Sequence, residues 1–250
     1  MGLMNSIIAS RVRAVQRSAT GYAGACTFEF SQMTNPVAQI IGDVKETKDG
    51  ICEMLSARWI VDNANGRSLK TWIAGGRDNT IDASKVRMLM QLFAIGTTMR
   101  PGAMVEDHGG FTQRGFRRGN AGTSNQDDAT RNYLLSQGMR HVPVTGGSWG
   151  EGNGGGGEKI KHQIQRDLCM FRGNGGPSWR VIGIWGDIGG HAMAFANGQT
   201  GCAFFDPNYG EFTFASKTKF AEWFVHAFYP MAFYTKMLGN RFELQDYAKA

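Results

Sequence analysis

The fold is decided by GGHAMAF at residues 189–195 and FFDPNYGE at residues 204–211. Both segments have the apolar composition of short buried strands, and the Asn-Gly pair at 197–198 between them predicts a tight turn. Two antiparallel strands joined in this way would bring His191 next to Asp206. A histidine beside a carboxylate is half of a nucleophilic catalytic site.

The nucleophile that could complete this site is Cys52, in the segment GICEML at residues 50–55. Leu55 and Trp59 share one helical face with Cys52, which predicts an amphipathic helix over 52–65 with the cysteine at its N-terminal end. Cysteine attacks as the thiolate, and both a helix N-terminus and an imidazolium stabilise that form. We therefore predict Cys52 as nucleophile, His191 as general acid and base, and Asp206 as the acid that orients His191.

The remaining cysteines are predicted to be structural. Cys26 lies in a strand pattern, Cys169 in a helix pattern, and Cys202 leads into Phe204. The four cysteines form no CxxC pair and show no metal-ligand spacing with the histidines. The sequence thus predicts neither a disulfide framework nor a metal site, and no cofactor is expected.

Length and charge limit the class of protein. The chain has 250 residues, of which 42% are apolar, enough for a large core. Its net charge is +6, but the basic residues are scattered, so nucleic acid is not an expected partner, whereas an anionic membrane surface is a possible one. No apolar run approaches the roughly 18 residues of a membrane span. Three arginines at 11, 13 and 17 also interrupt any signal peptide.

The order of elements predicts an α+β fold. Residues 1–24 are predicted to be a peripheral segment and residues 25–250 one catalytic domain. Two stretches are predicted to be loops: a Gly- and Arg-rich one at 106–127 and a Gly-rich one at 146–157, the latter a tolerated insertion. Helices are predicted at 52–65, 82–95, 127–137 and 158–171, and after Ser216; further strands are predicted at 27–32, 141–144, 179–185 and 211–215.

Four segments of the chain resemble the YopT-type cysteine protease family. They are the segment around Cys52, Gly190 to Ala194, Phe204 to Glu211, and the Phe220, Trp223 and Phe224 pattern. The resemblance covers residues 50–59 and 183–224. It implies a papain-like fold with a helical lobe followed by a mostly antiparallel sheet, and it implies the same roles for Cys52, His191 and Asp206. It further implies a bacterial effector protease that a secretion system delivers into a host or target cell, where it cleaves a protein.

The resemblance leaves the oxyanion hole to be assigned. Papain-like enzymes usually carry an amide side chain a few residues before the cysteine, but residues 44–49 include neither Gln nor Asn. The predicted donors are the backbone N–H of Cys52 and a side chain from elsewhere, such as Gln32 or Gln39.

Two other functions fit the same residues. A papain-like Cys/His/Asp site also supports glutamine deamidation, transglutamination or hydrolysis of peptidoglycan amide bonds. The third hypothesis is a binding module that has no catalytic activity and binds an anionic partner through the loop at 106–127.

Overall fold

The computed structural model describes residues 2–47, 50–74, 80–98, 121–142, 149–151, 156–170, 178–186, 189–198, 200–239 and 241–250. The described α-helices are α1 (Gly2–Ser18), α2 (Val37–Gly42), α3 (Cys52–Ala64), α4 (Leu69–Ile73), α5 (Ala83–Thr98), α6 (Ala121–Ser136), α7 (Gly156–Met170), α8 (Lys217–Trp223), α9 (Tyr229–Met231) and α10 (Tyr234–Met237). A 3₁₀ turn at Ala19–Tyr22 follows α1, and a π-helical turn at Phe224–Phe228 links α8 to α9.

The described strands form one antiparallel sheet. They are β1 (Gly24–Phe28), β2 (Met139–Val142), β3 (Trp149–Glu151), β4 (Ser178–Gly186), β5 (Gly189–Asn197), β6 (Cys202–Asp206), β7 (Gly210–Phe214) and β8 (Arg241–Lys249). Their order across the sheet is β1-β7-β6-β5-β4-β8-β2, and β3 also pairs with β8. The strands that carry the predicted histidine and aspartate are therefore central neighbours.

Both faces of the sheet are covered, because successive strand residues point to opposite faces. Ala194 and Phe205 belong to a core shared with α3 and α5, whereas Phe195 and Phe204 belong to a second core on the other face. The second core is rich in aromatic side chains from the C-terminal helices; Trp223, for example, lies 4.7 Å from Phe212 between ring centroids. Two tightly packed faces fix the register of the strands and hence the positions of residues at the strand ends.

The three predicted catalytic residues meet at one end of the sheet. Strand β5 begins at Gly189 and strand β6 ends at Asp206, so their antiparallel pairing brings His191 and Asp206 to the same edge. Helix α3 packs along β5, and its first residue, Cys52, lies at that edge too.

The predicted mixture of helices with a mostly antiparallel sheet is confirmed. Strand β8, which pairs with β2, β3 and β4 in the sheet, was not predicted from the sequence. Most of the predicted loop at 106–127 lies outside the described residues, and α6 already begins at Ala121. Of the predicted loop at 146–157, the structure describes strand β3 and the start of α7.

The N-terminal segment packs on the domain. Residues 1–24 are predicted to be peripheral, yet Val12, Val15 and Ala19 are buried in the aromatic-rich core, while Ile7 remains half exposed at 50%. The difference arises because the apolar face of α1 is covered by the C-terminal helices. We propose that α1 belongs to the same folded unit as residues 25–250. None of the described helices is long and apolar enough to cross a membrane.

Candidate active site

Cys52 is the first residue of α3 and its thiol is half-buried. The first backbone N–H groups of a helix have no acceptor within the helix and carry its partial positive charge. One turn further along, Ser56 is fully buried and donates a hydrogen bond to the carbonyl oxygen of Ala192 at 3.1 Å. Trp59 stacks on Phe205 at 5.9 Å between ring centroids. Helix α3 is thus fixed against the strands that carry the other two residues.

His191 and Asp206 form a buried hydrogen-bonded pair. The register pairs Ala194 with Phe205, so His191 and Asp206 lie on the same face of the sheet, diagonally across two strands. His191 Nε2 lies 3.0 Å from Asp206 Oδ1, and His191 is 7% exposed. The other ring nitrogen, Nδ1, is left for Cys52, with which the His191 side chain forms a hydrogen bond.

This arrangement favours the imidazolium form of His191. Burial lowers the pKa of His191, but the negative charge of Asp206 and its hydrogen bond outweigh burial, and Cys52 adds a smaller contribution. The net effect raises the pKa of His191 from 6.5 to about 10. Near neutral pH the ring is therefore positively charged and can stabilise a thiolate on Cys52.

Asp206 is held by donors from three directions. Besides His191, its Oδ1 accepts the backbone N–H of Asn208 at 2.7 Å, which closes a turn after Pro207. Its Oδ2 accepts the hydroxyl of Tyr234 at 2.9 Å. Asp206 is fully buried, so these hydrogen bonds replace the water that a carboxylate needs and keep it aimed at His191.

Gln32 is the predicted oxyanion-hole residue that the structure brings to the cysteine. Its Oε1 accepts the backbone N–H of Ile51 at 3.0 Å, and its Nε2 donates to Asn208 Oδ1 at 2.9 Å. Gly50 makes this approach possible: its φ is +119°, and a Cβ there would lie 3.3 Å from Gln32 Nε2. An amide Nε2 has two hydrogens, so one remains for a substrate oxygen.

The structure does not bring Gln39 to the cysteine. Gln39 lies exposed on α2 and lines neither of the cavities that contain Cys52.

Two cavities meet at Cys52 and His191, with volumes of about 240 Å³ and about 380 Å³. Both are lined by Gly50, Cys52, Gly190 and His191. The smaller one also carries the carboxylates of Glu46, Glu53 and Glu243. The larger one is mostly apolar, and its lining includes Ile8, Arg11, Met33, Ile41 and Leu238. A peptide that lies across Cys52 can therefore place one side chain in each cavity, on either side of the thiol.

The other three thiols are in environments that keep them protonated. Burial, with help from Glu29, raises the pKa of Cys26 to about 12. Burial also raises the pKa of Cys202 to about 12, and it raises that of Cys169. These cysteines pack against or within the aromatic-rich core, as the sequence predicts.

Two residues of the site, Asn208 and Tyr234, were not among the residues predicted from the sequence. Asn208 directly follows Asp206 and Pro207, and this position is a signal that its side chain stays near the carboxylate. Tyr234 carries no local signal, because its contact with Asp206 spans 28 residues of sequence. Among the described residues no cluster of His, Cys, Asp and Glu side chains could hold a metal ion.

Comparison with known sequences gives a match to the family model described as Yersinia/Haemophilus virulence surface antigen, peptidase C58, over residues 16–250. The chain is 29% identical over 250 residues to cysteine protease yopT1 of Yersinia enterocolitica serotype O:8. The alignment covers 95% of this chain and 68% of the relative. It is 29% identical over 239 residues to cysteine protease YopT of Yersinia pestis, with the same coverage.

One solved structure shares the fold. The crystal structure of the Pseudomonas avirulence protein AvrPphB aligns with a TM-score of 0.51 at 13% identity, covering 81% of this chain and 94% of the other. At that identity the likeness concerns the fold.

Proposed function

The chain belongs to the Yersinia/Haemophilus virulence surface antigen family, peptidase C58, and from this membership we propose that it cleaves a protein through an acyl-enzyme on Cys52. The predicted resemblance to the YopT-type family and the predicted papain-like fold are confirmed. The chain is a cysteine protease that acts on protein substrates. The observation that carries the assignment of residues is the buried hydrogen bond of His191 Nε2 with Asp206, with Cys52 hydrogen-bonded to the same ring.

In the first step the Cys52 thiolate attacks the carbonyl carbon of the scissile peptide bond, and the carbonyl oxygen becomes an oxyanion. The backbone N–H of Cys52 and the second Nε2 hydrogen of Gln32 donate to that oxyanion. His191 then gives its proton to the leaving amine as the C–N bond breaks, which leaves a thioester on Cys52. Asp206 holds the ring so that Nδ1 faces this reaction.

In the second step His191, now neutral, takes a proton from water. The resulting hydroxide attacks the thioester carbonyl, the same donors stabilise the second oxyanion, and the C–S bond breaks. The products are a carboxylic acid and the Cys52 thiolate, again paired with the His191 imidazolium. Neither step of this reaction requires a cofactor or a metal ion.

The cavities suggest which side chains flank the scissile bond. Three carboxylates in the smaller cavity, Glu46, Glu53 and Glu243, favour a basic side chain there, while the larger cavity favours an apolar one. We propose a substrate protein of a host or target cell with this pair of side chains at the cut site. Delivery by a bacterial secretion system is part of the same proposal, and the description of the family as a virulence antigen is consistent with it.

A net charge of +6 supports a further part of the proposal, that an anionic membrane surface raises the local concentration of enzyme and substrate. Its test is binding to vesicles that contain an anionic lipid. We expect affinity to fall between about 50 mM and about 300 mM salt, and an unchanged affinity contradicts it.

The experiment that tests the function is a search for new protein N-termini in a eukaryotic cell lysate treated with wild type or with Cys52→Ala. We expect new N-termini with wild type only, and a shared basic and apolar preference around them. Ammonia release without new N-termini would favour deamidation or transglutamination instead. An effect on cells that Cys52→Ala leaves unchanged would favour a binding module.

A further inference from the structure

A continuous chain of hydrogen bonds runs from the backbone beside Cys52 to the catalytic carboxylate. Its links are Ile51 to Gln32 at 3.0 Å, Gln32 to Asn208 at 2.9 Å, Asn208 to Tyr234 at 3.2 Å, and Tyr234 to Asp206 at 2.9 Å. It joins the two halves of the site, the oxyanion-hole side and the acid–base side, through residues distant in sequence.

The direction of each hydrogen bond in the chain follows from its first link. The backbone N–H of Ile51 can only donate, so Gln32 must present Oε1 to it and Nε2 to Asn208. Asn208 must then accept with Oδ1, which turns its Nδ2 toward Tyr234. The hydroxyl oxygen of Tyr234 accepts that hydrogen, so its own hydrogen is directed to Asp206 Oδ2. One orientation therefore satisfies every link.

We propose that Tyr234 is a positioning residue for catalysis: its hydroxyl aims the Asp206 carboxylate at His191 and, through Asn208, fixes the amide orientation in which Gln32 offers Nε2 to the substrate. This inference rests on the proposed function. It adds to the Cys52, His191 and Asp206 site a residue near the C-terminal end of the chain.

The surroundings of Tyr234 suit this role. Tyr234 is 4% exposed, and its ring centroid lies 5.2 Å from that of His191, so the ring covers one side of the His191 imidazole. Burial, together with the charge of Asp206, raises the pKa of Tyr234 well above its ordinary value. The hydroxyl therefore keeps its proton and remains a donor throughout the neutral range.

The backbone before Tyr234 is held in an uncommon conformation. Phe233 has φ +63° and ψ 14°, the left-handed region that a bulky side chain rarely adopts. The guanidinium of Arg11, on α1, lies 3.9 Å from the centre of the Phe233 ring. Contacts from the opposite end of the chain thus help to hold the turn from which Tyr234 reaches Asp206.

Tyr234→Phe removes the hydroxyl and keeps the ring. The variant leaves Asp206 Oδ2 and Asn208 Nδ2 without their partner, so we expect His191 to be held less well beside Cys52. Cys52 should then react about 10-fold more slowly with iodoacetamide at pH 6. Tyr229→Phe is the matched control. Tyr229 is also buried and aromatic, but its hydroxyl has no hydrogen-bond partner among the described residues. We expect its rate within about 2-fold of wild type.

The experiment measures alkylation of Cys52 by peptide mass from about pH 5 to about pH 9, for wild type, both tyrosine variants, Asp206→Asn, and Asp206→Asn with Tyr234→Phe. If Tyr234 acts through Asp206, Tyr234→Phe should change the rate of Cys52 alkylation little in the Asp206→Asn background. The inference is overturned if Tyr234→Phe slows Cys52 alkylation by the same factor in wild type and in Asp206→Asn. It is also overturned if Tyr234→Phe and Tyr229→Phe have equal alkylation rates. If wild-type Cys52 reacts no faster than the other cysteines and Asp206→Asn changes nothing, the proposed function itself fails.

Discussion

The hydroxyl of Ser56 donates a hydrogen bond to the backbone carbonyl oxygen of Ala192 at 3.1 Å. Ser56 lies one helical turn after Cys52, and Ala192 directly follows His191. A single buried contact therefore ties helix α3, which carries Cys52, to strand β5, which carries His191. Because reactive geometry must hold within about 0.5 Å, such a contact bears on catalysis as well as on stability.

Ser56→Ala should lower the free energy of unfolding by about 1 kcal/mol and reduce the rate of Cys52 alkylation at neutral pH. The control is Ser136→Ala, which removes an exposed hydroxyl bonded to Tyr133 within its own helix. Urea unfolding and iodoacetamide kinetics on the two variants check this. If Ser56→Ala and Ser136→Ala have the same free energy of unfolding and the same alkylation rate, the Ser56–Ala192 hydrogen bond does not position Cys52 against His191.

Gly50→Ala should displace Gln32, because the added methyl carbon would lie 3.3 Å from Nε2 and 3.4 Å from Oε1. Gly66 is the matched control: its φ is also positive, at +66°, but nothing lies within 4 Å of a Cβ there. Both substitutions strain the backbone: we expect a cost of about 1 kcal/mol at Gly66, whose φ is that of the left-handed α region, and a larger cost at Gly50, whose φ lies outside it. Only Gly50→Ala should also lower protease turnover. An equal effect of both on turnover would refute the steric argument.

Gln32→Ala should lower kcat by about 10²- to 10³-fold, the usual cost of one oxyanion donor. Alkylation of Cys52 should fall much less, since displacement of iodide forms no oxyanion. Gln39→Ala serves as the control because Gln39 is exposed on α2. Turnover and alkylation are measured on the same preparations. A parallel loss of both in Gln32→Ala would assign Gln32 to positioning of the thiol instead.

The raised pKa of His191 predicts how stability changes with pH. Its folded-state pKa of about 10 exceeds the ordinary 6.5, so the folded state binds the proton more tightly than the unfolded chain. The resulting stabilisation is fully present below about pH 6.5 and is lost as pH rises toward about 10. Unfolding free energies of wild type and His191→Gln, measured across this window, should converge as pH rises. A constant difference between the two proteins would contradict the raised pKa.

The grouping of Cys52, His191 and Asp206 could be predicted because their signals are local. The strand-turn-strand pattern alone placed His191 near Asp206, and the start of an amphipathic helix singled out Cys52. The choice between Gln32 and Gln39 needed the structure, since the two lie only seven residues apart and composition does not separate them. What decides is the packing of Gln32 under Gly50, beside the Asn208 side chain.

Strand β8 shows why part of the fold was missed. Phe242 and Leu244 are buried and alternate with polar neighbours, which is a strand signal, but Asp246 interrupts it at a buried position. Asp246 can be buried because it forms an ion pair with Arg180 on β4, with Nη2 and Oδ2 2.7 Å apart. A partner 66 residues away cannot be read from a local pattern.

The most direct measurement is the rate at which iodoacetamide alkylates each cysteine from about pH 5 to about pH 9, in wild type and in His191→Ala. Cys26 and Cys202, with pKa values raised to about 12, and Cys169 serve as internal references. We predict that Cys52 alone reacts rapidly below pH ~7 and that His191→Ala slows it by at least about 10-fold there. Four cysteines that react at similar slow rates, with no effect of His191→Ala, would contradict the assignment of Cys52 and His191 as a catalytic ion pair.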